Sequence, residues 1–323
     1  MIPVRILGSA HLLPGRLVTT AEIVERTRPG KDPSRLEAAT GIRARHHAEP
    51  GTRCADVGAA VLRDALADAG VAASALRRVI FVSSVGGDWV VPSTASAIIG
   101  LVGANGTCDG FDLQNACPGF LSALDVAARG VATGVGVTAI VAVELLSRLV
   151  GPEGPRAFGV FGDAAAAVVL GPARGGEGVR AICHANDWVD GPTIGVPQTA
   201  LTRRMEAAEF SASADRMVDM AVAAMVRGVR EVLARAELPL DEVQWVLPHQ
   251  PNLPLLLGFA AALGLDPARL DPVVRDVGSV ASAAVPLTLD RLLRSGRVRP
   301  GDRILMASVG SPLVYGAALY QCP

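Results

Sequence analysis

The chain of 323 residues repeats itself at long range. Displaced by 165 residues (79 onto 244), Val79-Ile-Phe-Val-Ser-Ser84 falls on Gln244-Trp-Val-Leu-Pro-His249. At the same offset Leu124-Asp125 falls on Leu289-Asp290, and Ala139-Ile-Val-Ala-Val143 on Ile304-Leu-Met-Ala-Ser308. An offset held constant through strand, helix and strand is the trace of duplicated α/β units, which fold as two similar halves. The closing strands agree at a shorter offset of about 154, Gly162-Asp-Ala-Ala beside Gly316-Ala-Ala-Leu. An extra loop of roughly a dozen residues is therefore expected in the first half, around 145–157. Active sites in such sheets gather where strands run into helices near the junction of the halves.

Local patterns agree with that plan. Val4 to Gly8 reads as an opening strand, followed by the Leu13-Pro14-Gly15 turn and a helix capped at Thr19-Thr20. Asp56 to Ala69 is an amphipathic helix with Gly70 suited to end it. Arg78 to Ser84 and Thr138 to Glu144 are apolar strands, Pro92 to Val102 a helix, and Phe158 to Leu170 a closing hairpin.

Half the residues are hydrophobic and 19% are charged, so a large core can form. The net charge of -1 and the lack of a long basic run argue against a nucleic-acid surface. Five scattered cysteines without a C-x-x-C fit a reduced cytoplasmic protein better than a disulfide framework or a zinc site. Neither a signal peptide nor a membrane span is expected.

The chemistry centres on Gly110 to Phe120, a strand, a tight turn and the start of a helix, with Cys117 at the turn. Pro118 suits a first helical position, and a thiol there sits among free N–H groups that favour thiolate. The alternative is a buried structural thiol, the reading taken for Cys54, Cys108, Cys183 and Cys322, which lack a helix start. Val246-Leu-Pro-His249-Gln-Pro-Asn252 leaves a strand and places His249 as a general base or oxyanion donor, or else as a structural histidine. The turn Ser308-Val-Gly-Ser311-Pro312 could aim N–H groups at an oxyanion. His11, His46 and His47 read as surface or loop residues. The repeat allows Cys117, His249 and the Gly278-Ser279 segment to converge.

Taken in order, Thr40-Gly-Ile-Arg-Ala-Arg-His46, Asp112 to Phe120, Phe161-Gly-Asp163, Pro248-His-Gln-Pro-Asn252 and Gly278 to Pro286 make the chain resemble the thiolase superfamily. Within it the chain resembles the ketoacyl-acyl-carrier-protein synthase III type. The resemblance implies an α/β thiolase fold, two duplicated βαβαβαββ halves in five α-β-α-β-α layers, with halves at 1–172 and 173–323. It implies ping-pong acyl transfer through Cys117, with backbone N–H groups of Cys117 and Ser311 as an oxyanion hole. No permanent cofactor or metal is implied. The donor would be a coenzyme A or acyl-carrier-protein thioester, the acceptor a small molecule, and the assembly a homodimer.

Several positions depart from the family pattern. Ser279 stands where the family's Asn follows glycine, and a hydroxyl offers one donor where an amide offers two. Asn252 or Asn115 could compensate. Arg35 aligns with the adenine-stacking Trp, Ala39 with a phosphate-facing Arg, and Val91, beside Trp89, with a residue that closes the acyl channel. Phe161 is placed with the substrate-binding residues. Pro312 replaces a glycine. The helix after Asn252 carries no positive charge and reads as a contact for a carrier domain or partner, or as buried; Arg203, Arg204 and Arg216 are the nearby cations. The expectation is acyl transfer from Cys117 to a hydroxyl, amine or thiol in specialised metabolism. The alternatives are decarboxylative Claisen condensation with a modified oxyanion hole and a non-catalytic partner subunit.

Overall fold

A computed structural model describes residues 1–187, 194–195, 209–210, 214–311 and 313–323. The first half contains β1 (Arg5–Leu12), β2 (Arg16–Thr19), α1 (Thr20–Thr27), α2 (Ser34–Thr40), β3 (Ala44–His47), α3 (Cys54–Ala69) and β4 (Arg78–Val82). It continues through α4 (Thr94–Val102), β5 (Asp109–Leu113), α5 (Gly119–Ala132), β6 (Thr138–Leu145), α6 (Pro155–Phe158) and β7 (Asp163–Gly171). The second half contains β8 (Gly178–Asn186), β9 (Ile194–Gly195), β10 (Glu209–Phe210), α7 (Ala214–Ala236), β11 (Trp245–Pro248) and α8 (Leu253–Leu263). It closes with α9 (Val274–Val277), α10 (Ala284–Arg294), β12 (Arg303–Gly310) and β13 (Val314–Gln321).

The sheets have matching orders, β1-β7-β6-β4-β5 and β8-β13-β12-β11. Strands β6, β4 and β5 of the first sheet run parallel, as do β12 and β11 of the second, and the remaining pairs are antiparallel. Strands β6 and β7 are buried at every residue, which an apolar run achieves only when both faces of its sheet are covered. Helix α3 presents Val57, Val61, Leu62, Ala65 and Leu66 to one side of the first sheet and ends at Gly70 in the left-handed region (φ 63°). Its Gly58 lets α4 approach closely, since a Cβ there would lie 2.7 Å from Cδ1 of Ile98. Helices α5 and α10 occupy the middle, each touching strands of both sheets, and α7 with α8 covers the outer face of the second sheet. The result is five layers, α-β-α-β-α, the thiolase fold.

The ladders refine the repeat. Val143 pairs with Ala165 and Ser308 with Gly316, so the closing strands are related by an offset of 151 (165 onto 316), not 154. The difference lies in the connection, residues 146–162 in the first half against 311–313 in the second. The expected closing hairpin is absent: Pro155–Phe158 forms a turn of helix, and β7 pairs with β6 and β1. One element breaks the symmetry. The counterpart of β5 at residues 274–278 is the helical turn α9 and Gly278. The Gln250 side chain holds it there, donating to the Asp271 carbonyl at 2.7 Å and accepting from the Val274 N–H at 3.2 Å.

His11 is not a loop residue. It lies on β1, and its Nδ1 meets the buried Asp290 carboxylate of α10 at 2.6 Å, tying the two halves together. His46 and His47 lie on β3. Among the described residues no helix is long and apolar enough to cross a membrane, and no group of three His, Cys, Asp or Glu could hold a metal ion.

Candidate active site

Strand β5 ends at Leu113, and the chain turns through Gln114 to Cys117 before α5 begins at Gly119. Ala116 is forced to φ 48°, a left-handed conformation that costs an L-residue about 1–2 kcal/mol. Cys117 follows that bend and precedes the first turn of α5, with Pro118 in helical geometry just ahead of it (φ -70°). Asn115 fastens the turn by donating from Nδ2 to Ser122 Oγ at 2.8 Å, so it is committed locally.

The second half closes on this turn. Gly310 ends β12, and a Cβ there would lie 2.8 Å from Ala116 Cβ, 2.9 Å from Pro118 Cδ and 3.0 Å from the Cys117 nitrogen. Only glycine lets the backbone come this near, and the half-buried Ser311 follows it directly in the chain. Pro312 lies outside the described residues, as do Arg203 and Arg204.

His249 follows β11, and its backbone N–H donates to the Ala307 carbonyl of β12 at 2.7 Å, three residues before Gly310. The ring is buried and its Nδ1 has no partner among the described residues. Burial pulls its pKa down to about 4, so the imidazole is neutral at pH 7. Ser279 is buried and lies beside Phe161 in a parallel bridge. Its N–H donates to the Val160 carbonyl at 2.9 Å and its carbonyl accepts from Gly162 N–H at 3.0 Å. Gly278 before it adopts φ 69°, and a Cβ there would press on the Val160 carbonyl and on Arg45.

Other expected residues lie apart from this cluster or are already engaged. Asn252 caps α8, its Oδ1 accepting from Leu255 N–H at 2.8 Å. Trp89 and Val91 stand on the loop before α4, exposed at 62% and 80%. Arg35 is exposed on α2. Helix α8 is largely a core element: Leu255, Leu256, Phe259 and Ala260 are buried against α7, and Leu257 is the large apolar side chain left open. Arg216 is exposed on α7.

The electrostatics of Cys117 run opposite to the expectation from its turn. Although part of the residue is open to solvent, burial of the thiol and the nearby Glu144 carboxylate push its pKa up to about 12. Cys54, not Cys117, is the first residue of a helix, and burial pushes it to about 12 as well. A helix start therefore does not set Cys117 apart from Cys54 here; the strained turn and the approach of Gly310 do.

One residue near the site was not anticipated. Glu144 on β6 is fully buried, and its carboxylate accepts from Ser84 N–H at 2.7 Å, Ser84 Oγ at 2.8 Å and Ser83 Oγ at 3.3 Å. From the other half it accepts from Ser282 N–H at 3.2 Å and from Ser282 Oγ. The signal was a single charge inside the otherwise apolar run Ala139 to Leu145.

A cysteine turn on the first half, backed by a glycine turn of the second between two covered sheets, is the arrangement of the thiolase fold. The chain belongs to the 3-oxoacyl-[acyl-carrier-protein] synthase III family: the profile of that name matches residues 111–187, and the one for its C-terminal region matches 233–322. It is 33% identical to the β-ketoacyl-[acyl-carrier-protein] synthase III of Rhodospirillum rubrum over 98% of both chains. It is 34% identical to the enzyme of the same name from Rhizorhabdus wittichii over 97% of both. Among solved structures it is similar to the priming β-ketosynthase of a polyketide biosynthetic pathway, with 29% identity, a TM-score of 0.89, and coverage of 99% of this chain and 96% of that one.

Proposed function

We propose that the protein is a ketoacyl synthase III-type condensing enzyme: it loads an acyl group onto Cys117 and joins it to a malonyl-type thioester, with loss of CO2. In the first step the Cys117 sulfur attacks the donor carbonyl, its proton passes to the departing thiol, and the new thioester forms as the old C–S bond breaks. The backbone N–H groups of Cys117 and Ser311 hold the oxyanion of that step. In the second step the extender loses CO2, its enolate carbon attacks the acyl group, and the Cys117–acyl bond breaks. A His249 ring that is neutral at pH 7 is suited to donate a hydrogen bond to the enolate oxygen. The observation that carries this reading is the Ala116-Cys117 turn packed on Gly310, in a chain that matches named synthases over nearly its whole length.

Ser279 supports a second reading. With a hydroxyl in place of an amide, one oxyanion donor is weakened, and losing such a donor costs about 10²–10³-fold in rate. In that case Cys117 still loads an acyl group and passes it to a hydroxyl, amine or thiol. The donor in either reading is a coenzyme A or carrier-protein thioester, with Phe161 beside Ser279 at the reacting end and the exposed Arg35 available to stack on the adenine of coenzyme A. The exposed Trp89-Val90-Val91 loop supports a homodimer, in which that apolar surface would be covered. Similarity to a polyketide-priming enzyme supports a place in specialised metabolism.

Intact mass after incubation with acyl thioesters tests the first step: an adduct forms and is absent in Cys117→Ala. Release of CO2 from malonyl thioester by the acylated enzyme supports condensation. An adduct without CO2 release, with decarboxylation created by Ser279→Asn, overturns condensation in favour of acyl transfer.

A further inference from the structure

One fully buried polar cluster of the core lies outside the mechanism just given. Glu144 has no exposed surface, and an ionised carboxylate at such a depth persists only when its lone pairs are met by donors. Five donors meet it, and they come from both halves: Ser83 and Ser84 after β4, and Ser282 ahead of α10. Their positions in the repeat are telling. At the offset of 165, Ser282 is the counterpart of Cys117 and Ser84 the counterpart of His249. Even the bend recurs, with Ala281 at φ 39° before Ser282 as Ala116 is at 48° before Cys117. The counterpart of Glu144 is Val309, so the second half has no such carboxylate. The two related turns are also in contact, because a Cβ on Gly119 would lie 3.8 Å from Ser282 Cβ.

We propose that Glu144 is a positioning residue of the acyl-transfer site: it pins the Ser83-Ser84 turn to the Ala281-Ser282 turn beside Cys117, and its negative charge keeps Cys117 a thiol until substrate arrives. Among the described residues, the titratable groups that feel this charge are Cys117 ahead of α5 and Cys54 at the start of α3. Arg148 and Asp88 lie around Cys54, while β4 and the Ser282 segment face Glu144 with serines alone. Burial raises Glu144 to about 6, and its bonds to Ser282 and Ser84 pull against that rise. The carboxylate is therefore ionised at pH 7 and above, where a second negative charge on the Cys117 sulfur is opposed. The consequence is a nucleophile that resists stray alkylation and oxidation and loses its proton only as the acyl bond forms.

This inference rests on Cys117 being the nucleophile, but its test needs no acyl donor. Iodoacetamide alkylation of Cys117 is followed from pH 6 to pH 10, with the modified peptide identified by mass. Glu144→Gln has the same shape: its oxygen can accept the two backbone N–H groups, and its amide can donate to the serine hydroxyls. The titration lies below the midpoint of the thiol, so the readout is the rate at each pH: between pH 8 and pH 10 alkylation of Cys117 should be about tenfold faster in that variant than in wild type. Ser282→Ala, which removes a bond that keeps the carboxylate ionised, should speed alkylation by less. A folded Glu144→Gln or Ser282→Ala protein whose Cys117 rate is unchanged or slower overturns the proposal. Glu144 with a merely structural role would change melting temperature and leave the alkylation rate where it is. Faster alkylation in a protein that never forms an acyl adduct would instead refute the acyl-loading reading alone.

Discussion

The two halves of this chain use one backbone and two chemistries. After β5 and again after α9 the chain bends through an alanine of positive φ, Ala116 and Ala281, into a short residue that opens a buried helix. In the first half that residue is Cys117, partly open to solvent and facing the Gly310 turn. In the second it is Ser282, fully buried and bonded to Glu144. The strand ends differ in the same way: Ser84 is committed to Glu144, whereas His249 keeps a ring nitrogen without a partner among the described residues. Duplication thus supplies two sites of similar geometry, and a single carboxylate with no counterpart commits one of them to structure.

The comparison breaks most sharply if position 144 is made to match its counterpart. Glu144→Val should remove the acceptor for five donors, three of them from the buried Ser83 and Ser282, and cost about 3–5 kcal/mol, read as a large loss of melting temperature. If the melting temperature is kept, the carboxylate is not the clamp described above.

A pH titration separates the histidine turn from the serine turn. His249 titrates near 6.5 unfolded and near 4 folded, so below pH 6.5 the unfolded chain binds the extra proton. The stability that a neutral buried imidazole brings is fully present above pH 6.5 and is lost as pH falls through 4, about 3 kcal/mol in all. Chemical denaturation of wild type and His249→Asn across pH 4–7 should show this slope in the former and not the latter.

Gly310→Ala sharpens the contrast with Leu145, its counterpart at the offset of 165, where a full side chain is accommodated. The added Cβ would crowd Ala116, Cys117 and Pro118. Acyl loading measured by intact mass should slow by about 100-fold, with little change in melting temperature. The smallest effect is expected from relaxing the two bends. Ala116→Gly and Ala281→Gly each remove left-handed strain and add unfolded-state freedom, so each should change stability by less than about 1 kcal/mol, and by similar amounts. Unequal changes would mean that the turns are not equivalent.

Much of this architecture was legible from the residues, because a buried repeat has to keep its apolar pattern in both copies. The 165-residue offset located β6 against β12 and α5 against α10 without a gap. The capping box at Thr19 and Glu22 and the glycine stop at Gly70 also formed as read. The closing strands were misplaced by three residues, because small side chains in Gly162-Asp-Ala-Ala match at more than one register and only the ladder chooses. Cys117 was singled out by the family motifs and the repeat, and the thiolate expected from its helix start did not hold. A helix start is a local property and Cys54 has a better one, whereas the depth of the thiol and the charge of Glu144 depend on what packs around it. Asn252 reads equally well as an oxyanion donor or a helix cap, and in the fold its Oδ1 caps α8.

What the sequence determined alone was the scaffold: local pattern, repeat and turn chemistry are properties of neighbours along the chain, and they dictate two similar α/β halves. The tertiary structure decided the site. It brought Gly310 against Cys117, drew Ser279 beside Phe161, and buried Glu144 among serines separated from it by 60 and 138 residues. Such contacts follow from how two halves meet across a shared helical layer. Proton affinities in that layer are set by desolvation and by charges from the opposite half, neither of which is written in any local stretch of residues.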